Sequence, residues 1–306
     1  MINSNRDLLR MKILILGITG MLGHAVWFNL KESHEAFGSI RGNLKELSES
    51  CSLFNENDKN ILYGIDVHND NDLKRALDIA EPGAIVNCVG VVKQLDASKF
   101  PIPSISLNAL FPHRLAKMCN ERNIRMIHIS TDCVFSGKRG GYVESNIPDA
   151  HDLYGRTKVL GEVTENDCLT IRTSIVGRQL SGSSGLFEWF LSQNGEVRGY
   201  RKAIFSGLTT YALSDIIRTL IEGHPTVSGL YHVSSEPISK YDLLNKLKNL
   251  LKLDTEIISD DRVVIDRSLD STKFRELTHI YIPSWDEMLE DFAKRVADYQ
   301  KWRYNI

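Results

Sequence analysis

A tyrosine and a lysine form the pair of side chains in this sequence that is best suited to proton transfer. Tyr154 and Lys158 lie in the segment YGRTKVLGE, and on a helix their i, i+4 spacing places both side chains on one face. A free tyrosine has a pKa of about 10, which is too high for easy proton exchange at neutral pH. Because a neighbouring ammonium favours the phenolate, we expect Lys158 to lower the pKa of Tyr154. The pair predicts a general acid or base, and ordinary surface packing is the alternative.

A threonine lies where a parallel sheet would bind a ligand. Thr131 follows the apolar run IRMIHIS at Ile124–Ser130, which predicts a buried strand. Open α/β sheets bind ligands at the carboxyl ends of their strands, so we expect the Thr131 hydroxyl to hold a carbonyl oxygen for Tyr154. We place Asp132 beside it on the substrate side. Cys133 comes next, but the sequence pairs no base with it, and we interpret it as a small buried thiol.

Three evenly spaced glycines follow the first apolar run, Met11–Leu16. They are Gly17, Gly20 and Gly23, in the segment GITGMLG. A strand-to-helix turn that closely approaches a pyrophosphate has no room for side chains at such positions. The helix after the turn directs its free N–H groups and the positive end of its dipole at the phosphates. A glycine turn without a ligand is the alternative, but the position between an apolar strand and a helix favours a dinucleotide site.

The cofactor preference depends on the residue that follows the second predicted strand. An acidic side chain there binds the 2′-hydroxyl of the adenosine ribose in NAD, whereas an arginine accommodates the 2′-phosphate of NADP. Arg41, in the segment GSIRGN, has no Asp or Glu beside it. A guanidinium is planar, permanently charged and able to form two parallel hydrogen bonds to a phosphate. We therefore predict NADPH as the cofactor and leave NADH open.

The elements that must hold these residues alternate along the first half of the chain. Short apolar runs predict strands, and apolar residues at helical spacing predict helices. The predicted strands are Met11–Leu16, His34–Ile40, Ile61–Ile65, Ala84–Val89, Ile124–Ser130, Cys168–Thr173 and Gly229–Ser235. The predicted helices are Met21–Lys31, Asp70–Ile79, Pro103–Glu121, Leu186–Gln193, Tyr211–Glu222, Lys240–Leu251 and Trp285–Trp302. This alternation predicts an α/β fold with a Rossmann-type doubly wound parallel sheet and a smaller C-terminal substrate-binding lobe.

A break in this regularity near Val176 predicts a boundary between two domains. We assign residues 11–175 to an NADP-binding Rossmann domain, to which residues 203–236 return. Residues 176–202 and 237–306 are assigned to the smaller substrate-binding lobe.

Length and composition exclude several classes of protein. A chain of 306 residues can bury a core without disulfides, and 42% hydrophobic with 25% charged residues is typical of a soluble globular protein. Lys plus Arg number 37 against 39 Asp plus Glu, and the net charge of −2 argues against a nucleic-acid-binding protein. The five cysteines form no CxxC pair, which predicts reduced thiols, a cytoplasmic location and no metal site. The polar start MINSNRDLLR predicts a loose leader, and no apolar run is long enough for a membrane span.

Four segments taken together resemble the extended short-chain dehydrogenase/reductase family. They are GITGMLG, STDCVF, YGRTKVLGE and IRTSIVG, and within the family they are similar to the sugar-nucleotide reductase branch that includes dTDP-4-dehydrorhamnose reductase. The resemblance covers Met11 to about Gly177 and continues more weakly through Phe205–Thr210 and Gly229–Ser235. It implies that NADPH reduces a 4-keto group on a nucleotide-linked deoxysugar, in surface polysaccharide or deoxysugar biosynthesis. It also implies a possible homodimer.

The resemblance assigns roles to individual positions. Tyr154 would protonate the alkoxide, Thr131 would orient the substrate oxygen, and Lys158 would hold the nicotinamide ribose. The residues implied for the rest of the cofactor are Met21, Leu22 and Gly23 at the pyrophosphate, Asp66 and Val67 at the adenine, and Cys88, Val89 and Gly90 along the dinucleotide. Asn108 stands where the wider superfamily often has an asparagine of its proton relay. An equal alternative is that Asn108 packs a helix that Pro112 kinks.

Two departures from the branch leave the sugar open. Cys133 stands where the better-known reductases have a tyrosine, and the segment VVKQLDASKFP lacks their acidic pattern. Lys93, in that segment, would meet a nucleotide phosphate or remain solvated. Two other functions stay as alternatives: a sugar-nucleotide epimerase or dehydratase of the same fold, and a non-catalytic regulatory subunit of a methionine adenosyltransferase.

Overall fold

The computed structural model describes residues 10–92, 96–183 and 185–303. The described strands are β1 (Lys12–Leu16), β2 (Glu35–Ser39), β3 (Ile61–Leu62), β4 (Ala84–Asn87), β5 (Arg125–Thr131), β6 (Cys168–Thr173), β7 (Ile175–Val176), β8 (Glu196–Tyr200), β9 (Ala203–Phe205), β10 (Leu208–Thr209), β11 (Gly229–His232), β12 (Ile238–Ser239), β13 (Glu256–Asp260) and β14 (Ile265–Asp266). The described helices are α1 (Gly23–Leu30), α2 (Leu44–Ser50), α3 (Asp70–Ala80), α4 (Pro101–Ser104), α5 (Phe111–Glu121), α6 (Leu153–Leu160), α7 (Leu186–Leu191), α8 (Thr210–Gly223), α9 (Lys240–Leu251), α10 (Thr272–Thr278) and α11 (Trp285–Trp302). Lys93 and all but the last residue of the predicted leader lie outside the described residues.

Seven of the described strands form one central sheet in the order β11-β6-β5-β4-β1-β2-β3. Every neighbouring pair in it is parallel. From β1 the chain builds outward through β2 and β3, and it then returns to the other side of β1 with β4. The strand order thus reverses between β1 and β4, and such a reversal opens a crevice at the carboxyl ends of the strands. The prediction of a Rossmann-type doubly wound sheet is confirmed.

The sheet is covered on both faces, and successive residues of β1 point into different layers. Ile13 and Ile15 belong to a core cluster that includes residues of α1 and α8. Leu14 and Leu16 belong to a second cluster that includes residues of α3 and α5. Because both faces are buried, the strand is apolar throughout rather than alternating, as its sequence indicated.

One predicted helix, Pro103–Glu121, is divided in the structure. It consists of α4, a π-helical segment at Ile105–Leu110 and α5. Pro112 has no N–H to donate to the carbonyl of Asn108 four residues earlier. Just before it, the N–H of Phe111 donates to the carbonyl of Ser106, which is the five-residue step of a π-helix. The irregularity expected at Pro112 is therefore a π-helical turn that ends at the proline.

The second half of the chain forms small sheets that the sequence patterns did not predict. Strand β13 pairs with β8, β9 pairs with both β12 and β14, and β10 pairs with β7. Five of these strands have only two or three residues, which is too few for a periodic pattern. Strand β11 lies in the central sheet beside β6. The division of the chain into a Rossmann domain and a lobe at the stated residues stays a prediction.

In the three described ranges, no helix has both the length and the apolar character that a membrane crossing requires.

We expect truncation of the central strand β5 to destabilise the protein strongly. Ile127 is fully buried in the core, so Ile127→Ala leaves a cavity and lowers the free energy of unfolding by about 2–5 kcal/mol. Ile79→Ala is the matched control, because Ile79 on α3 is 49% exposed and its loss changes this free energy by less than about 1 kcal/mol. Urea denaturation measures both. Equal losses in the two variants would contradict the position of β5 in the core.

Candidate active site

The glycine turn after β1 has a backbone that only small residues can adopt. Gly17 has a φ of +85°, and a Cβ atom there would lie 2.9 Å from Cγ2 of Val89, which follows β4. A Cβ atom on Gly23 would collide with the carbonyl oxygen of Gly17. The N–H of Gly17 donates to the hydroxyl of Ser39 at 3.2 Å, which ties the turn to β2. The turn is thus packed against the loops that follow both neighbouring strands.

Helix α1 begins at this turn, and Gly20, Met21 and Leu22, just before its first residue, line the cavity described next. Its N-cap residue, Leu22, makes no capping hydrogen bond with its side chain. The positive end of the helix dipole makes such an end a site for an anion. This geometry fits the pyrophosphate of a dinucleotide.

A cavity of about 550 Å³ joins the glycine turn to the predicted catalytic residues. Its wall includes Thr131 at the end of β5 and both Tyr154 and Lys158 on α6. The other predicted site residues along this wall are Gly20, Met21, Leu22, Cys88, Val89, Gly90 and Asp132. Asp152 caps α6 by accepting a hydrogen bond from the N–H of Gly155 at 2.7 Å, so the helix begins just before Tyr154. The chain thus brings together residues from turns that are far apart in sequence.

The pKa of Tyr154 is raised above its ordinary value, opposite to the direction we expected. Burial in the cleft is the largest cause, because it disfavours the charged phenolate. Cys133 and the carboxyl groups of Asp132 and Asp152 act in the same direction, whereas a hydrogen bond with Thr131 opposes them. The prediction that Lys158 lowers the pKa of Tyr154 is therefore wrong for the protein without its cofactor. The phenol stays protonated at neutral pH.

Lys158 is held by the sheet beneath it. Its Nζ donates to the carbonyl oxygen of Ile129 at 2.7 Å, and the residue is 6% exposed. Burial lowers the pKa of Lys158 to about 8, while the carboxylate of Glu162 partly offsets this effect. Because this value lies above neutral pH, most of the lysine is charged there. Of the two residues of α6 that line the cavity, Tyr154 and Lys158, the lysine supplies the positive charge.

Thr131 and Asp132 are buried and hydrogen-bonded to each other. The Thr131 hydroxyl donates to Oδ1 of Asp132 at 3.2 Å and accepts from the N–H of Cys133 at 3.1 Å. Burial raises the pKa of Asp132, and the guanidinium of Arg267 opposes this rise. The carboxyl group and the hydroxyl together supply both an acceptor and a donor at the end of β5.

Three residues predicted to bind the adenosine half of the cofactor lie outside this cavity. Arg41 is exposed just after β2, and Asp66 follows β3, with its Oδ1 accepting from the N–H of His68 at 3.0 Å. Val67 is buried in the core cluster that includes residues of α3. The loops that carry them are joined, since the N–H of Ile65 donates to the carbonyl of Ile40 at 3.0 Å. Arg41 and Asp66 therefore lie at one edge of the sheet, at the carboxyl ends of adjacent strands.

Asn108 connects the π-helical segment to the turn after β4. Its Oδ1 accepts from the N–H of Val91 at 2.9 Å, and its Nδ2 donates to the carbonyl of Val91 at 3.0 Å. Asn108 also lines the cavity. The side chain therefore positions the turn that contains Cys88, whose thiol pKa burial raises to about 12. Such a thiol remains protonated and unreactive at neutral pH.

The sequence patterns missed the part of the wall that comes from the second half of the chain. Lys240 at the start of α9, Arg267 after β14 and Ile204 on β9 all line the cavity. The guanidinium of Arg267 donates through Nε to the carbonyl of Phe135 at 2.8 Å, next to the end of β5. Lys240 and Arg267 each follow a two-residue strand, and Ile204 lies within a three-residue strand. Strands this short give no local signal that would distinguish the two cations from surface cations.

Known proteins are similar to this chain in sequence and in fold. The chain is 26% identical over 268 residues to a probable low-salt glycan biosynthesis reductase (Agl14) of Haloferax volcanii, and the match covers 83% of each chain. It is 28% identical over 251 residues to a probable dTDP-4,6-dihydroxy-2-methyloxan-3-one 4-ketoreductase of Streptomyces antibioticus, covering 80% of this chain and 78% of the relative.

A solved structure of dTDP-4-dehydrorhamnose reductase from Bacillus anthracis, in complex with NADP, has a similar fold. Its TM-score is 0.76 at 21% identity, over 94% of this chain and 100% of the other. The family profile described as RmlD substrate binding domain matches residues 11–298. The chain therefore belongs to the RmlD substrate binding domain family, within the extended short-chain dehydrogenase/reductases.

Proposed function

We propose that this protein catalyses the NADPH-dependent reduction of a 4-keto group on a nucleotide-linked deoxysugar. The observation that carries the proposal is that one cavity joins the glycine turn to Thr131, Tyr154 and Lys158. The two relatives described above are named as probable reductases of sugar biosynthesis, and they support the coarser class of sugar-nucleotide reductase.

The residues of the turn suit a dinucleotide in shape and in electrostatics. Met21, Leu22 and Gly23 would lie against the pyrophosphate at the start of α1, where the positive end of the helix dipole is unopposed by a side-chain cap. Arg41, exposed after β2, would contact the 2′-phosphate that distinguishes NADPH from NADH. When bound, NADPH would supply the hydride that reduces the ketone. The cofactor complex of the Bacillus anthracis structure supports this choice.

Tyr154 is the proposed proton donor. Reduction of a ketone leaves an alkoxide, which needs a proton from a nearby acid. Because burial raises the pKa of Tyr154, its hydroxyl carries that proton throughout the neutral range. The Thr131 hydroxyl, which lines the same cavity, would orient the same substrate oxygen. The proposed donor is therefore in the protonated form that the reduction requires.

The wall opposite the glycine turn supplies cations for the nucleotide part of the substrate. Lys240 and Arg267 line the cavity, and together they suit the diphosphate of a nucleotide-linked sugar. Cys133 lines the same cavity at the end of β5. Its short side chain leaves room that the tyrosine of better-known reductases would fill, which bears on the identity of the sugar.

The alternative functions receive less support. A sugar-nucleotide dehydratase typically follows its catalytic threonine with Asp-Glu, whereas Asp132 here precedes a cysteine. An epimerase that retains NAD would favour an acidic residue at the position of Arg41. A non-catalytic regulatory subunit would not require Tyr154 and Lys158 in one cleft.

We place the reaction in the cytoplasm, in surface polysaccharide or deoxysugar biosynthesis, and expect a homodimer.

Removal of the Tyr154 hydroxyl tests the proton donor. We expect Tyr154→Phe to lower kcat roughly 10²–10⁴-fold, which is the usual contribution of a general acid, while the Kd for NADPH stays near wild type. Tyr231→Phe on β11 is the control, since it removes a buried phenol outside the cleft. NADPH oxidation with a 4-keto sugar nucleotide gives kcat. Turnover of Tyr154→Phe near that of the control would refute the assignment, and no turnover by wild type with any such substrate would refute the function.

Arg41 tests the choice of dinucleotide. Loss of a charged hydrogen-bond donor to the 2′-phosphate should raise the Kd for NADPH roughly 10- to 100-fold in Arg41→Ala. The Kd for NADH, which has no 2′-phosphate, should remain nearly constant. Lys117→Ala on α5 removes an exposed cation of the same charge and should change neither constant. Parallel losses for both dinucleotides would mean that Arg41 does not read the 2′-phosphate.

The pKa of Lys158 predicts how cofactor binding depends on pH. The ammonium is present below a pKa of about 8 and is lost above it, so its hydrogen bonds to ribose hydroxyls weaken as pH rises. We expect the Kd for NADPH to increase between about pH 7.5 and pH 9.5 in wild type. Lys158→Arg keeps its charge over this range and should give a flat profile. Fluorescence titration of NADPH measures both, and a flat wild-type profile would exclude a charged Lys158 from binding.

A further inference from the structure

Helix α11 is anchored at both ends by different parts of the molecule. At its start, Nε1 of Trp285 donates to the carbonyl of Glu236 at 2.8 Å, beside the second-half strands. At its other end, the N–H of Ser52 donates to the carbonyl of Trp302 at 2.8 Å, which ties the helix to the loop after α2. The side chain of Arg303 pairs with Glu188 at 2.9 Å. The helix therefore connects the substrate side to the dinucleotide side of the fold.

Near this second end, Tyr299 reaches the first turn of α1. Its hydroxyl forms a hydrogen bond with Nε2 of His24, and Nδ1 of His24 lies 2.8 Å from the carbonyl oxygen of Gly20. Tyr299 is 1% exposed and His24 is fully buried. A chain of hydrogen bonds therefore runs from α11 to the middle glycine of the cofactor turn.

The chemistry of these groups fixes the direction of each hydrogen bond. A carbonyl oxygen only accepts, so Nδ1 of His24 must carry the hydrogen. Burial lowers the pKa of His24 to about 4, so the ring is neutral and Nε2 has only a lone pair. The Tyr299 hydroxyl must therefore donate to Nε2. In the other tautomer, a lone pair of Nδ1 would face the lone pairs of the Gly20 carbonyl, and the hydrogen bond to Gly20 would be lost.

The hydrogen bonds of the Gly20 backbone help to fix the shape of the turn. Its carbonyl also accepts from the N–H of His24 at 3.2 Å, and its N–H donates to the carbonyl of Gly17 at 3.0 Å. Gly20 lines the cleft directly. These bonds fix the peptide of Gly20, and Met21 and Leu22, which follow it, also line the cleft.

We propose that Tyr299 is a positioning residue for dinucleotide binding, because its hydroxyl donates to Nε2 of His24 and so holds the ring whose Nδ1–H binds the Gly20 carbonyl. This inference rests on the proposed dinucleotide site. Tyr299 is itself fixed in place, with the guanidinium of Arg178 at 5.3 Å from its ring centroid and the ring of Trp302 at 5.0 Å. Docking of the C-terminal helix thereby becomes a condition for tight binding of the pyrophosphate.

A pair of buried tyrosines supplies the test. Tyr299→Phe removes the donor to His24, whereas Tyr211→Phe removes a hydroxyl that lies 3.5 Å from Tyr299 and leaves the bond to His24 intact. Two probes are titrated: NADPH, which contains the pyrophosphate, and adenosine 2′-monophosphate, which lacks it. We expect the Kd for NADPH to rise roughly five- to tenfold in Tyr299→Phe only, as for the loss of one hydrogen bond. The Kd for adenosine 2′-monophosphate should stay constant in both variants.

The outcomes separate this inference from the proposed function. Unchanged NADPH binding by Tyr299→Phe would overturn the inference, and so would equal weakening of both probes in both variants, which indicates a general loss of stability. Failure of wild type to bind NADPH would instead overturn the proposed cofactor site, and this inference with it. A second measurement uses wild type and does not depend on binding by any variant. The ¹⁵N chemical shifts of the His24 ring, identified by their absence from the spectrum of His24→Gln, should show that the hydrogen is on Nδ1. Hydrogen on Nε2 would overturn the inference.

Discussion

The cleft depends on the close approach of two backbone turns at the place where the strand order of the sheet reverses. The turn after β1 meets the turn after β4, and Gly17 has only 2.9 Å between its missing Cβ and the side chain of Val89. The φ of +85° would strain any residue other than glycine, and a Cβ atom there would press on the side chain of Val89. The start of α1 and the wall with Cys88 keep their spacing because of this contact. Helix α6 lines the same cavity with Tyr154 and Lys158.

Features with a local pattern were predictable from the sequence. The apolar run of β1, the glycine spacing and the regular apolar face of α11 each reside in one contiguous segment, and the bounds of α11 agree with the prediction. The sheet could be predicted because strands and helices alternate, and a parallel sheet is the way to connect them. The assembly of Thr131, Tyr154 and Lys158 around one cavity also followed from their order on such a sheet.

Features that depend on contacts between distant segments were not predictable in this way. The pKa of Tyr154 is set by burial in the completed cleft, a quantity that no i, i+4 spacing contains. Lys158 bonds to the carbonyl of Ile129 rather than acting on the phenol. Lys240 and Arg267 reach the cleft from strands too short to show a period. The link between His24 and Tyr299 spans almost the whole chain.

The route of the chain also has a consequence for its synthesis. Segments that leave the ribosome first commonly fold as units before the rest is made. Here β11 completes the edge of the central sheet beside β6, and Tyr299 supplies the hydrogen-bond partner of a histidine in the first helix. The earlier half therefore has an open edge and an unsatisfied buried ring until most of the polypeptide has been translated.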